Sequence, residues 1–199
     1  MVKDNIQENL IQTGRDIVKQ KGVEFLTARK LSEASGYSVG TIYNQFGNMD
    51  NFILIQNYLT LDALYKKFIE IKTNNAYERL NLYVEVFADF VTEHRNFWFM
   101  VYKFHLNQSE RSFSVTYLKR ISKMIMLIDN AFKELYPKLK NTKRQVSVQV
   151  LWISLFALSS LLTTDSLQTY SKLNKTKICF FLLNTYLTGI KFLEKLGDK

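Results

Sequence analysis

The sequence predicts an all-α protein with a small N-terminal domain of three helices followed by a larger helical domain. The chain of 199 residues contains one proline and seven glycines, so few residues interrupt a helix. Apolar residues recur at spacings of three and four along most of the chain, which is the pattern of helices with one buried face. A chain of this length buries enough surface for a stable core.

The first helix is predicted from Asp4 to Lys21, with Leu10 and Val18 among its inward residues. Gly22 is expected to end this helix. Gly14 lies inside it, where glycine costs about 1 kcal/mol of helix stability relative to alanine. Close packing against a neighbouring helix would explain why a glycine stands there.

A short second helix is predicted from Ala28 to Ser35. Thr27 precedes it and can cap it, because a threonine hydroxyl accepts a hydrogen bond from one of the first unpaired backbone N–H groups. Gly36 follows it, at the point where a helix commonly ends in a left-handed residue. We therefore expect Gly36 to have a positive φ angle.

A third helix is predicted from Val39 to Gln45, with Ser38 as its cap and Gly47 as its stop. Its apolar residues Val39, Ile42 and Phe46 have helical spacing. Two short helices joined by a glycine turn form the helix-turn-helix pattern, whose second helix enters the major groove of DNA. Thus residues 27–52 predict a DNA-binding motif.

The motif resembles the N-terminal signature of TetR/AcrR-type repressors. The shared positions are Leu31, Ser35, Gly36, Gly40, Thr41, Ile42, Tyr43, Phe46, Asp50 and Phe52, together with Leu10, Ile11, Ile17, Val18 and Gly22 upstream. This resemblance covers roughly the first quarter of the chain. It implies a homodimeric regulator that binds a palindromic double-stranded DNA operator through residues 1–48. It also implies that residues 49–199 bind a small-molecule effector and form the dimer.

The third helix has no charged residue between Val39 and Met49, so direct reading of bases would use neutral side chains. Asparagine and glutamine can bond bidentately to adenine, and the threonine methyl can contact the thymine methyl. A tyrosine hydroxyl can donate to a phosphate. The predicted DNA-contacting residues are Thr27, Arg29, Ser38, Val39, Gly40, Thr41, Tyr43, Asn44 and Gln45.

Charge alone does not indicate DNA binding here. The chain has a net charge of +9, but residues 1–52 carry six basic and six acidic side chains. The excess lies in residues 53–199, where it is typical of a lysine-rich solvated surface. Met49 and Val39 stand where the family often has basic residues, which leaves Arg29, Lys30 and Lys3 as candidates for phosphate contacts. We expect few phosphate contacts.

Five further helices are predicted at about 49–73, 77–94, 110–136, 142–163 and 174–196, with an aromatic segment at 96–106 and a loop at 107–109. The helix at 142–163 is apolar on every face, and such a helix must be buried on every face. A subunit interface on one side is the simplest explanation. The predicted dimer contacts are Ser154, Ala157, Leu161, Phe181, Thr185 and Gly189.

The segment from Phe97 to Phe104 is rich in aromatic residues, which by itself predicts core packing. The resemblance implies instead that the surrounding helices enclose an effector cavity. The predicted lining residues are Leu64, Phe87, Trp98, Tyr102, Tyr117 and Trp152, which suit an apolar or amphipathic ligand. A tilt of the helix that begins at Met49 would then carry the signal to the DNA-binding motif. Control by a protein partner, or no effector at all, is the alternative.

Other function classes are disfavoured. The sequence has no paired carboxylates, no nucleophile beside a base and no glycine-rich phosphate loop, so an enzyme is not expected. Two histidines and the single Cys179 predict neither a metal site nor a cofactor nor an internal disulfide. No secretory signal is present, and the apolar run 151–162 is too short to span a bilayer. The expected location is the cytoplasm.

Overall fold

The computed structural model describes residues 2–106, 113–164 and 174–196, and these residues form nine α-helices with one short 3-10 turn at Val23–Phe25. The helices are α1 (Val2–Lys21), α2 (Ala28–Ser35), α3 (Val39–Phe46), α4 (Met49–Glu70), α5 (Ala76–Glu93), α6 (Arg95–Leu106), α7 (Val115–Leu135), α8 (Asn141–Thr163) and α9 (Lys175–Leu196). The all-α prediction is confirmed.

The chain divides into two compact units. The first comprises Met1–Asp62 and His94–Ser112, and the second comprises Ala63–Glu93 and Phe113–Lys199. Helices α1 to α3, the first part of α4 and α6 therefore belong to the first unit. The predicted division after residue 48 separates DNA binding from effector binding, and it stays a prediction about function.

The first unit is built around one buried apolar cluster. Its central members are Leu10 and Val18 of α1, Leu31 of α2, Ile42 and Phe46 of α3, and Phe52 of α4, all at most 6% exposed. Each helix contributes the apolar residues that helical spacing places on one face. Val39 differs from the prediction: it is 36% exposed, because it is the first residue of α3 and projects beyond this cluster.

In the second unit, α5 packs against α7, α8 and α9. Helix α8 has two different sides. Leu151 and Leu155 are buried, whereas Val146 and Ile153 are 59% and 64% exposed. The apolar face predicted to need a partner is therefore exposed in the part of the chain that the structure describes.

Helix α8 is also long and apolar enough to cross a membrane, with 23 residues and a mean hydropathy of 1.8 in its most apolar window. The apolar run at 151–162 had suggested a shorter segment, but the helix extends well beyond that run. Of this window 44% is buried, and the helix packs on α5 and α7. One such helix is weak evidence for a membrane span.

Two helix ends differ from the prediction for local reasons. Helix α7 begins at Val115 rather than near residue 110, because the Ser114 side chain accepts a hydrogen bond from the Tyr117 N–H and caps the helix there. The predicted loop at 107–109 lies outside the described residues. Helix α4 ends at Glu70, a few residues early, and the Asn75 side chain caps α5 by accepting from the Glu78 N–H at 3.0 Å.

Candidate DNA-binding site

Helix α2 begins and ends as predicted. The Thr27 hydroxyl accepts a hydrogen bond from the Lys30 N–H at 3.2 Å. Gly36 ends the helix with φ 77° and ψ 0°, in the left-handed region. An L residue with a side chain is strained there by about 1–2 kcal/mol, so glycine is the residue that closes this turn cheaply. The expected positive φ of Gly36 is confirmed.

The turn between α2 and α3 is held by short-range hydrogen bonds. The Ser32 hydroxyl donates to the Tyr37 carbonyl at 2.6 Å, and the Tyr37 N–H donates to the Ser35 hydroxyl at 3.3 Å. Ser38 accepts from the Thr41 N–H at 3.0 Å and caps α3. These bonds set the angle at which α3 leaves the turn, before any contact with a partner.

Helix α3 presents polar, uncharged side chains to solvent. Tyr43 is 44% exposed, Asn44 is exposed, and Thr41 and Gln45 are half-buried. The Thr41 and Ser38 hydroxyl oxygens lie 2.9 Å apart, so both hydroxyls take part in the cap. The predicted contacts of the Thr41 methyl and the Asn44 carboxamide with base edges stay a prediction.

Gly40 has no packing role among the described residues. A Cβ atom added there would meet only the Ser38 hydroxyl, at an ordinary 3.6 Å. Glycine within a helix costs about 1 kcal/mol relative to alanine. An exposed glycine that the fold does not require is consistent with close approach of another molecule's backbone to α3.

The basic residues beside α3 are partly neutralised. Arg29 and Lys30 both pair with Glu33, at 3.1 and 2.7 Å. Hydrogen bonds from Lys30 and then Arg29 lower the pKa of Glu33, so this carboxylate stays charged. Exposed ion pairs of this kind are weak, so both cations can exchange Glu33 for a phosphate. The face nevertheless carries little net positive charge.

Helix α4 is attached to α3 through a short capped connection. Gly47 ends α3 with φ 78°, and the Asn48 side chain accepts from the Asn51 N–H at 2.8 Å to cap α4. The Asn51 side chain then donates to the Phe46 carbonyl at 3.1 Å. These bonds tie the orientation of α3 to the start of α4.

Helix α1 fixes the beginning of α4 from the other side. A Cβ atom on Gly14 would lie 2.6 Å from the Phe52 ring. Helices α1 and α4 are therefore in close contact at Gly14, as the sequence predicted. The Gln56 side chain donates to the Ile11 carbonyl at 3.0 Å. Arg15 donates to the Gln56 carbonyl at 3.4 Å and lies 4.0 Å from the centre of the Phe97 ring. The first two turns of α4 therefore form one body with α1.

Sequence reasoning missed a buried amide in α4. Asn57 is fully buried, and neither atom of its carboxamide has a hydrogen-bond partner. Leaving such a group unpaired costs about 1–3 kcal/mol. The signal was present in the sequence, since Gln56 and Asn57 are two polar residues between the buried Phe52 and Leu61 of the same helix.

The predicted effector-lining residues are mostly packed rather than open. Leu64, Phe87 and Tyr117 of the second unit are at most 1% exposed, and the Phe87 and Trp152 rings meet edge to face at 6.0 Å. Trp98 is fully buried and Tyr102 half-buried, and both belong to the first unit. The predicted effector role of these six residues stays a prediction.

The predicted dimer contacts all reach solvent within the single chain. Ala157, Phe181, Thr185 and Gly189 are exposed, while Ser154 and Leu161 are half-buried. Phe181, Thr185, Gly189 and Phe192 line an open groove of about 680 Å³ on α9. The groove is almost entirely apolar.

Residues 10–54 match the family of bacterial regulatory proteins described as the tetR family. This segment runs from Leu10 of α1 to the second turn of α4 and contains the whole helix-turn-helix. The family resemblance of the motif is thereby confirmed. Comparison with curated proteins gives no significant sequence match.

Solved structures share the fold over nearly the whole chain. A Thermus thermophilus FadR, a TetR-family transcriptional repressor in complex with lauroyl-CoA, has a TM-score of 0.68 at 15% identity, covering 91% of this chain and 93% of its own. The fatty acid degradation regulator FadR from Bacillus halodurans has a TM-score of 0.64 at 17% identity, covering 92% and 95%. A tetR-family regulator from Streptomyces coelicolor has a TM-score of 0.66 at 13% identity, covering 92% and 79%. At these identities the likeness concerns the fold.

Proposed function

We propose that the chain is a TetR-family transcriptional regulator, as the family match of residues 10–54 supports, and that it represses transcription as a homodimer bound to a palindromic operator. The observation that carries this proposal is the capped, uncharged helix α3, with exposed Asn44 and Tyr43 beside the open Gly40. A small, mostly apolar effector releases the dimer from DNA. The protein acts in the cytoplasm and has no catalytic role.

We expect Asn44→Ala to weaken binding to a selected operator by about 1–3 kcal/mol per half-site, because it removes a contact to a base edge. The slope of log affinity against log salt should stay at about −3 to −4.5, as for roughly three to five phosphates per dimer. Fluorescence anisotropy at several salt concentrations measures both quantities.

The matched control is Asn130→Ala, at an exposed position of α7 in the second unit, which should change neither quantity. A wild-type slope steeper than about −7 would contradict the small number of phosphate contacts. Equal operator affinities for wild type and Asn44→Ala would remove Asn44 from the reading surface.

Dimer formation is supported by the exposed apolar faces of α8 and α9. Ile153 of α8 and Phe181 and Phe192 of α9 are each more than 60% exposed. Phe181 and Phe192 line one apolar groove, and exposed apolar patches of this kind mark interaction sites on proteins. In a two-fold dimer the same patch serves both subunits, and the two α3 helices would lie about 34–36 Å apart to meet successive major grooves.

The effector proposal takes its chemistry from the residues of the second unit and from one structural neighbour. Leu64, Phe87, Tyr117 and Trp152 are buried side chains with few polar atoms, so a cavity that opened among them would suit an acyl chain. The Thermus thermophilus FadR is in complex with lauroyl-CoA. We therefore take a long-chain acyl thioester as the first effector class to test.

The signal would pass along α4. Its first turns are joined to α3 by the Asn48 and Asn51 hydrogen bonds and to α1 by Gln56. A tilt of α4 would therefore carry α1 and α3 with it as one body. The unpaired Asn57 amide lowers the stability of the present packing of α4, which makes a second arrangement less costly.

We expect operator DNA to weaken lauroyl-CoA binding by about 5–150-fold, because an effector that releases DNA must prefer the DNA-free state by the same coupling energy. Calorimetric titration of the dimer, with and without saturating operator, measures this factor. Coenzyme A without an acyl chain is the control and should not bind detectably. Equal affinities of lauroyl-CoA in the two titrations would favour control by a protein partner.

Control by a partner, or no effector, remains a second candidate because of one observation. Leu64, Phe87 and Tyr117 are at most 1% exposed, so none of these side chains faces a cavity that admits water. An effector that used them would have to displace packed side chains. If no acyl-CoA binds the dimer in the titration without operator, this second candidate replaces the first.

A further inference from the structure

An open cavity of about 470 Å³ lies at the carboxyl end of α4, within the second unit. It is lined by Phe68 of α4, Lys72 of the following turn, Arg79 and Tyr83 of α5, and Leu127 of α7, among others. Small-molecule sites have volumes of roughly 300–1,000 Å³. None of the predicted effector residues is among its described lining residues.

The cavity brings together hydrogen-bond donors that lack acceptors. Tyr83 is 4% exposed, and its hydroxyl makes no hydrogen bond to the described residues. The Nε–H of Arg79 is buried without an acceptor, while another nitrogen of the same guanidinium donates to Glu134. Lys72 donates to the Ile69 carbonyl at 2.9 Å and keeps two N–H groups for other partners. Of these three groups only the Arg79 Nε–H is a fully buried donor without an acceptor, which is rare in proteins. The Tyr83 hydroxyl is not among the buried unpaired atoms and Lys72 is exposed, so both can donate to a ligand in the cavity.

The charged residues that line the cavity indicate which kind of acceptor would bind there. The described lining residues include two cations, Lys72 and Arg79, and no carboxylate. The ion pair with Glu134 offsets the charge of Arg79, so Lys72 supplies the net charge. Burial raises the pKa of Tyr83, which therefore stays protonated as a donor. One net positive charge with two free donors matches a monoanion better than a phosphate dianion.

The rest of the lining is apolar. Phe68 is buried, and its ring lies 4.9 Å from that of Tyr83. Ile71 and Leu127 add aliphatic surface. A ligand that matches both halves of the cavity has an anionic head and a short hydrocarbon body.

We propose that this cavity binds a small monocarboxylate with an apolar tail. The carboxylate accepts hydrogen bonds from the Tyr83 hydroxyl and the Lys72 ammonium group, and the tail lies against Phe68 and Leu127. This goes beyond the proposed function, because binding requires neither DNA nor the predicted effector residues. It is therefore tested on the DNA-free protein, and its failure would leave operator binding untouched.

The test is a calorimetric titration of the full chain with octanoate, accompanied by NMR mapping of the amides that shift. Two matched probes accompany octanoate. Octanol has the same hydrocarbon tail without the charge, and inorganic phosphate has the charge without the tail. Octanoate is expected to bind at least about tenfold more tightly than either, and to shift amides around residues 68–83. Tyr83→Phe is expected to lower octanoate affinity about tenfold, or ~1.4 kcal/mol, and to leave octanol unchanged.

A second pair of variants separates a specific contact from general charge attraction. Lys72→Met should weaken octanoate about as much as Tyr83→Phe, whereas Lys66→Met, at an exposed lysine of α4 outside the described lining, should not. Tyr83→Phe removes a hydroxyl that has no partner, so an unchanged urea midpoint is expected for that variant. Any of three results would overturn the proposal. The wild type could bind octanoate and octanol with equal affinity, Tyr83→Phe could leave octanoate affinity unchanged, or the two lysine variants could lose octanoate affinity equally.

Discussion

Ala157→Arg is expected to convert the dimer to a monomer and to lower affinity for a full operator at least about 100-fold. The substitution would place one arginine from each subunit in the middle of an apolar interface, where an unpaired charge costs several kcal/mol. Ala157 is exposed within the chain, so the fold of the single chain should survive the change. The loss of DNA affinity follows because two linked half-site contacts bind about 10²–10⁴ times more tightly than one.

Sedimentation equilibrium and operator titration check the two halves of this prediction. Ala63→Arg is the matched control, since Ala63 is an exposed alanine on α4, away from the proposed interface. The control should remain dimeric and bind the operator normally. A wild-type protein that sediments as a monomer, or an Ala157→Arg protein that stays dimeric, would show that α8 does not form the interface.

Gly14→Ala is expected to lower the free energy of unfolding by about 1–3 kcal/mol, although alanine is the better helix former. Its Cβ atom would lie 2.6 Å from the Phe52 ring. Phe52 is fully buried and meets Phe46 edge to face at 4.8 Å, so its ring has little room to move. The strain should also displace α4 relative to α1 and reduce operator affinity. Urea unfolding with operator titration measures both effects.

Gly40→Ala is the substitution to compare with Gly14→Ala. It separates the effect of helix packing on stability from the effect of α3 on operator affinity. A Cβ atom at Gly40 meets only the Ser38 hydroxyl at 3.6 Å, so stability should be unchanged or higher by up to about 1 kcal/mol. Operator affinity should nevertheless fall, because the methyl group would obstruct the approach of DNA to α3. If Gly14→Ala proves as stable as Gly40→Ala, the contact between α1 and α4 is not a tight one.

The helix-turn-helix could be predicted from the sequence in detail because local interactions determine it. Thr27 and Ser38 each cap a helix through a backbone N–H three residues away. Gly36 ends α2 because the turn requires a left-handed residue. Such interactions depend on residue type and short spacing, and both can be read directly from the chain.

The effector prediction illustrates the opposite case. The aromatic residues of α5 to α8 are equally compatible with a filled core and with an open cavity, since both bury apolar side chains. In the structure, Phe87 and Tyr117 are packed with almost no exposed surface, while one open cavity lies at Lys72 and Tyr83. Which side chains face a void depends on how several helices pack, and no periodicity in one helix contains that information.

By itself the sequence determined the helical class and the helix-turn-helix motif with its caps. It also indicated that α8 has apolar residues on more than one face. Only the tertiary structure decided which face of α8 stays uncovered, with Ile153 outside and Leu155 inside. It also decided that Gly14 meets Phe52, and that the Asn57 amide is buried without a partner. The first group depends on interactions within a few residues, whereas the second depends on contacts between helices distant in the chain, which exist only once the core has formed.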